Sequence, residues 1–216
     1  MTVNDINGLG TGMAASPMVE TGKVGKVPPT RRPDTRKRKY LRPAEVRALI
    51  AAARKSGRYR ARDEALVLLA YRHGLRAVEA VTLEWSQIDM KGGVVTLWRA
   101  KGGKALEHPL RGVEIRALRK LRTENPDSKF VFLSERGGPM TTDNYRKVLQ
   151  RLAKVAGPKV EISVNPHALR HACGFYLASK GVDTRALSHY LGHRSLQSSE
   201  RYTELSEHRF RDFWRD

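Results

Sequence analysis

The chain has 216 residues, 40% of them hydrophobic, and sets 41 Lys and Arg against 22 Asp and Glu for a formal net charge of +19. That length suits one ordinary domain with a tail, no apolar run approaches the roughly 18 residues of a membrane helix, and no basic-then-apolar signal pattern opens the chain. The single cysteine, Cys173, excludes a disulfide framework, and a positive surplus of this size points to a polyanionic partner, because each phosphate neutralised releases counterions.

Residues 1–22 are rich in Gly, Ser and Met and contain no Lys or Arg, a composition that predicts disorder. Residues 23–42, "KVGKVPPTRRPDTRKRKYLR", hold nine basic residues and one acid, Asp34. Their prolines and charge run predict an extended basic arm rather than a helix. From Pro43 the pattern turns helical: "RPAEVRALIAAARKSG" has Pro43 in its first turn, Glu45 near the positive helix end and Gly57 as a stop. "ARDEALVLLAYRHG" predicts a second, more deeply buried helix ending at Gly74, and "LRAVEAVTL" a short third one. The period then changes. "GGVVTLWRA" and "KALEHPL" are β-rich runs on either side of "KGGK", the pattern of an antiparallel hairpin. Helices are predicted again in "RGVEIRALRKLRTEN", "TTDNYRKVLQRLAKVAG", "NPHALRHACGFYLASKG", "DTRALSHYLGH" and "SLQSSERYTEL". The expected fold class is α+β, mainly α-helical with one small antiparallel sheet.

Four stretches carry chemistry. In "YRHGLRAVEAVTL", Gly74 gives a sharp entry and Arg76 falls in the first turn, with Glu79 three residues on to hold its guanidinium. Leu75, Val78, Val81 and Leu83 are expected to back that arginine. In "RAKGGKALEHPL" the glycines place Lys101 and Lys104 on a turn from which a lysine can reach out. In "PHALRHACGFYLA", His167, Arg170 and His171 share one helical face just after Pro166 and suit a bound anion. Leu169, Cys173, Tyr176 and Leu177 recur there as a core stripe. A helical HxxxH can also ligate zinc, with His193 or His189 as third ligand, but no HExxH glutamate is present, so no metal is expected. In "LSHYLGHRSLQSSERYTEL", Gly192 ends a helix and aims His193 off its terminus, while Tyr202 lies among polar neighbours with no apolar stripe to account for it. A phenol titrates near pH 10, so it needs cations or a base to act as a nucleophile.

Together these stretches, in order across residues 41–206, resemble the tyrosine recombinase (phage integrase-type) family, and in size its short single-domain members similar to fimbrial phase-switch invertases. The resemblance implies that family's catalytic-domain fold, with Arg76, Lys101, His167, Arg170, His193 and Tyr202 as catalytic residues and Glu79 supporting Arg76. Lys104 shares the turn and is the alternative to Lys101. It also implies double-stranded DNA as partner, a homotetramer on paired sites with a monomer or dimer when free, no cofactor, and a cytoplasmic, nucleoid-associated home. Residues 1–40 are then a disordered basic arm, whose Arg31, Arg32, Arg36, Lys37, Arg38 and Lys39 join Lys104 as DNA contacts. Residues 207–216 are a tail whose apolar stripe of Phe210, Phe213 and Trp214 either packs on its own domain or, as in the resembled family, docks on a neighbouring subunit.

The implied reaction is an in-line attack by Tyr202 on a DNA phosphodiester, leaving a 3′-phosphotyrosyl bond and a free 5′-hydroxyl. Two arginine forks suit the equatorial charge, Lys101 protonates the leaving oxygen, and His167 accepts the tyrosine proton or orients the site. One ester replaces another, so no ATP is called for. A non-catalytic DNA-binding regulator with the same fold, and a type IB topoisomerase with the same constellation, are the rival readings.

Overall fold

The computed structural model describes residues 38–98, 105–193 and 195–204. Helices α1 (Pro43–Lys55), α2 (Arg60–Arg72) and α3 (Ala77–Val81) are followed by strands β1 (Ile88–Asp89), β2 (Val94–Trp98) and β3 (Ala105–Pro109). Helices α4 (Gly112–Glu124), α5 (Thr142–Ala156), α6 (Pro166–Ser179), α7 (Thr184–Leu191) and α8 (Gln197–Glu204) complete the order. The expected helices are all present, and the sheet is antiparallel in the order β1-β2-β3, with Val95 opposite His108 and Leu97 opposite Leu106. β1 was not expected. It is two residues long and exists only because Ile88 and Asp89 pair with Val95 and Val94 of β2, a tertiary cause that no local propensity announces.

α2 is the central element. Ala61, Ala65, Leu66, Val67, Leu68, Leu69 and Ala70 are all buried, so the helix is apolar around most of its circumference and is enclosed by α1, α4 and α6. α5 covers α1 with Tyr145, Val148, Leu149 and Leu152. This main core extends into the sheet through Val95 and Leu97 and along α6 as far as Ala172. A second, smaller core continues from there: Cys173 and Ala178 of α6, Leu187 and Leu191 of α7, and Tyr202 of α8.

Buried charge is paired at two points near the chain's entry to the fold. The Asp63 carboxylate accepts from Arg62 Nε at 2.8 Å and is also bonded by Arg151 of α5. Glu45 accepts from Arg38 Nη1 and Nη2 at 2.5 and 2.8 Å, from the Arg42 N–H at 2.6 Å and from the Glu161 N–H at 3.0 Å. Burial opposes ionisation of Glu45, but these four hydrogen bonds outweigh it and hold the carboxyl at about 2. Arg38 also reaches Glu161 Oε2 at 3.2 Å. The last residues of the basic arm are thus fastened to α1, and Tyr40 stacks on Phe175 of α6 at 3.8 Å between ring centroids.

Two packing expectations are corrected. Val78 does not back Arg76: it is 55% exposed, because the five-residue α3 buries only its Glu79–Ala80–Val81 side. Tyr176 leaves the α6 core stripe and is 39% exposed, its ring only tilted against Tyr71 at 6.1 Å. Lys101, Lys104, Arg31, Arg32, Arg36, Lys37 and the stripe of Phe210, Phe213 and Trp214 lie outside the described residues.

Candidate active site

α2 ends at Arg72 with His73 as its cap, and the chain reverses at Gly74, whose φ of +57° is costly for any residue with a Cβ. A Cβ there would also come within 2.4 Å of a Leu191 methyl, so the turn and α7 lie in direct contact. Arg76 follows as the residue that opens α3. Glu79 Oε2 accepts from the Arg76 backbone N–H at 2.9 Å and Oε1 from its Nη1 at 2.6 Å, so one carboxylate caps the helix and fixes the guanidinium. Nη2 donates to the Gly192 carbonyl at 2.7 Å. The expected pairing of Arg76 with Glu79 is present, with a third anchor that links it to the loop after α7.

α6 starts at Pro166 under an Asn165 cap, whose Oδ1 accepts from the Ala168 N–H at 3.0 Å. Its first turns fan three functional side chains around the axis. His167 is exposed, Arg170 is buried and His171 is half-buried. Arg170 donates to the Gly74 carbonyl and, at 2.7 Å, to the Leu191 carbonyl. The two arginines therefore end on adjacent carbonyls, 191 and 192, directly before His193, although Arg76 and Arg170 come from separate helices.

α7 begins at an Asp183 cap, with Oδ1 accepting from the N–H groups of Arg185 and Ala186 at 2.9 Å each, and closes at Gly192 in the left-handed region (φ 63°, ψ 48°). That closure turns the Gly192 carbonyl toward Arg76 and releases His193, whose Nδ1 is 2.7 Å from Ser199 Oγ of α8.

Tyr202 is where the structure departs most from expectation. It is 2% exposed, a member of the smaller core rather than a polar-surface residue. Its ring lies nearly parallel to His193 at 6.1 Å, meets Phe175 edge-on at 5.0 Å, and approaches Gly174 so closely that a Cβ there would sit 2.8 Å from ring carbons. The apolar surroundings come from α6 and α7, so the short polar sequence of α8 gives no sign of them. The hydroxyl is hydrogen-bonded to His171 Nδ1 at 2.9 Å. His167, expected to accept the tyrosine proton or to orient the site, lines a groove together with His171. Burial raises the Tyr202 pKa, only partly opposed by Arg170 and Arg201. Burial lowers His171 to about 4, helped by the positive charges of Arg201, His167, Arg170 and Lys39.

Behind these residues lies a buried polar chain that sequence reading did not single out. Glu114 Oε1 of α4 is 2.8 Å from His73 Nε2, His73 Nδ1 is 3.3 Å from His108 Nδ1 of β3, and His108 stacks on Tyr190 of α7 at 3.9 Å. Burial opposes ionisation of Glu114, but bonds from His73, the Arg111 N–H and Arg72 keep its pKa below the usual value. The Arg72 carbonyl accepts from Tyr190 Oη at 2.9 Å and from Cys173 Sγ at 3.5 Å. The chain thus ties together the segments just before Arg76 and His193 and the strand after the lysine turn. A histidine directly ahead of "GLR" was the visible trace of it.

A groove of about 860 Å³ runs past His167 and His171 and is flanked by Lys39, Arg42 and Asn165. Among the described residues, no group of three or more His, Cys, Asp or Glu is arranged to hold a metal ion, and no helix is long and apolar enough to cross a membrane.

Comparison with known proteins places the chain in a family. The model of the "Phage integrase family" matches residues 39–209. The type 1 fimbriae regulatory protein FimB of Escherichia coli K12 is 38% identical over 186 residues, 84% of this chain and 92% of FimB. Tyrosine recombinase XerD of Vibrio cholerae is 33% identical over 184 residues, 82% of this chain and 60% of XerD. In structure, the chain is similar to XerA recombinase with a TM-score of 0.69 at 26% identity, covering 80% of this chain and 62% of XerA.

Proposed function

The chain belongs to the phage integrase family, the tyrosine recombinases, and from that premise we propose that it cuts and rejoins DNA at specific sites through a bond between Tyr202 and a 3′ phosphate. The observation that carries the reading is the convergence on one turn. Arg76 and Arg170 donate to the neighbouring carbonyls of Gly192 and Leu191, and His193, next in the chain, stacks over the Tyr202 ring. A cationic pocket drawn from α2–α3, α6 and α7 sits beside a phenol with no metal required.

In this reading a scissile phosphate takes the donors of Arg76 and Arg170, whose planar forks suit two non-bridging oxygens. His193 donates a further hydrogen bond to one of them. Glu79 keeps Arg76 oriented. Tyr202 Oη attacks phosphorus and the 5′ oxygen leaves, protonated by Lys101 or by Lys104. Exposed His167, with Lys39 and Arg42, follows the DNA backbone along the groove. The basic arm, Arg31, Arg32, Arg36 and Lys37 included, adds phosphate contacts, while Arg38 fixes its root through Glu45. Four protomers on two paired sites complete the exchange, and residues 207–216 dock on a neighbour.

Trapping on genomic DNA of the source organism tests the proposal. Purified protein should become covalently attached at a small set of sequences, and Tyr202→Phe should yield no attachment. Sequence-independent relaxation of supercoiled plasmid by single protomers would instead identify a topoisomerase. Tight binding without any covalent product would identify a regulator.

A further inference from the structure

We infer that His171 is the base that takes the Tyr202 proton as the phosphotyrosyl bond forms. The inference rests on the recombinase reading above and goes beyond it, since the sequence spacing places His171 only on an anion-binding helical face and gives it no part in proton transfer.

The geometry leads here. A general base has to stand within hydrogen-bond reach of the proton it removes, and His171 Nδ1 is 2.9 Å from Tyr202 Oη within the same chain. The two rings are tilted at 55° with centroids 5.8 Å apart, an arrangement that places the imidazole edge, not its face, at the hydroxyl. The His193 ring lies nearly parallel to the tyrosine ring at 6.1 Å between centroids, and its Nδ1 is engaged with Ser199 Oγ at 2.7 Å. His167, one turn earlier on α6, is exposed and borders the groove. His171 borders the same groove from its half-buried position, so one edge meets the nucleophile while the ring stands beside the path expected for DNA.

The surroundings supply a switch. The charged and titratable groups facing His171 are His167 and Arg170 from α6, Arg201 and Tyr202 from α8, and Lys39 from the segment before α1. Burial first, and these cations after it, make His171 a weak base at about 4, and the tyrosine keeps its proton. A phosphodiester bound by Arg170, with flanking phosphates at Lys39 and His167, offsets the cationic part of that shift and so strengthens the base when substrate is present. In the step itself, the Oη–P bond forms as the P–O5′ bond breaks. The Oη proton passes to His171 Nδ1, giving an imidazolium, and the 5′ oxygen receives a proton from the lysine acid. Rejoining runs the same transfers backwards, so no co-reactant is consumed.

The test uses the full chain and a nicked suicide duplex built on a sequence recovered by genomic trapping. His171→Asn keeps an acceptor near the Nδ1 position but has no basicity. It should retain DNA affinity and form the covalent adduct at least about a hundredfold more slowly, and the acid limb of the wild-type rate profile should disappear. His171→Gly should be similarly slow and recover rate with added imidazole, a response that a packing role would not give. An Asn variant within threefold of wild-type rate, or a Gly variant that folds and binds DNA but is indifferent to imidazole, overturns the assignment of His171 alone. Absence of any wild-type adduct overturns the recombinase reading and this inference together.

Discussion

The arginine half of the site and the tyrosine half are built in opposite ways. Arg76 and Arg170 each make several hydrogen bonds, to the Glu79 carboxylate and to the carbonyls of Gly74, Leu191 and Gly192, and both emerge from the main core around α2. Tyr202 belongs to an eight-residue helix in the smaller core, fixed by a hydroxyl–imidazole bond and by ring contacts with Phe175, His193 and Gly174. The difference teaches a division of labour. In the proposed mechanism the phosphate-binding half is preorganised, as electrostatic catalysis demands, whereas the proposed nucleophile rides on a short helix seated on α6 and α7 outside the main core.

The sharpest way to break that contrast is Arg170→Ala. It strips two buried carbonyls of their donor, which should cost about 1–3 kcal/mol for each group left unsatisfied, and it removes a proposed phosphate ligand. Adduct formation should fall about a thousandfold, with a lower melting temperature by calorimetry. Gly174→Ala attacks the other half alone. Its Cβ, 2.8 Å from the Tyr202 ring, should displace the phenol and slow adduct formation about a hundredfold, with DNA affinity in a gel-shift assay unchanged. An effect on affinity equal to that on rate would show that the halves are not independent.

Glu45→Gln should leave chemistry per folded molecule intact and lower stability by about 1–3 kcal/mol, since it weakens charge-assisted hydrogen bonds in the main core. The sign with pH follows from the depressed carboxyl. Glu45 stabilises the fold above its ordinary value of 4.5, and that contribution fades as pH falls toward about 2. Denaturation midpoints of wild type and variant should therefore converge in acid. The smallest effect is expected for Lys39→Ala: one phosphate contact fewer should make the slope of log affinity against log salt shallower by about one.

Much of the rigid half was legible. Arg76 and Glu79 are three residues apart on a helix entry, and local spacing was enough to pair them. Pro43 and Pro166 announced α1 and α6 because a proline fits a first turn and few other places. What could not be read were partnerships between distant segments. The surroundings of Tyr202 come from α6 and α7, so its own polar neighbours in the sequence misled. β1 depends on β2, and the Glu114–His73–His108–Tyr190 chain joins four elements that no periodicity links. His171 was visible as a companion of His167 on one helical face, but only the seating of α8 shows that it meets the hydroxyl. Arg38, expected among the DNA contacts, is instead engaged by Glu45 and Glu161, because a buried carboxylate in α1 needs a cation close by.

The single thiol of the chain lies in the smaller core, with Cys173 2% exposed beside Leu187, Leu191 and Tyr202. A sulfhydryl reagent added to native protein therefore has one target, and it is buried. Its labelling kinetics, followed with and without DNA, would clock the opening of the core that Cys173 shares with Tyr202 without any engineered probe.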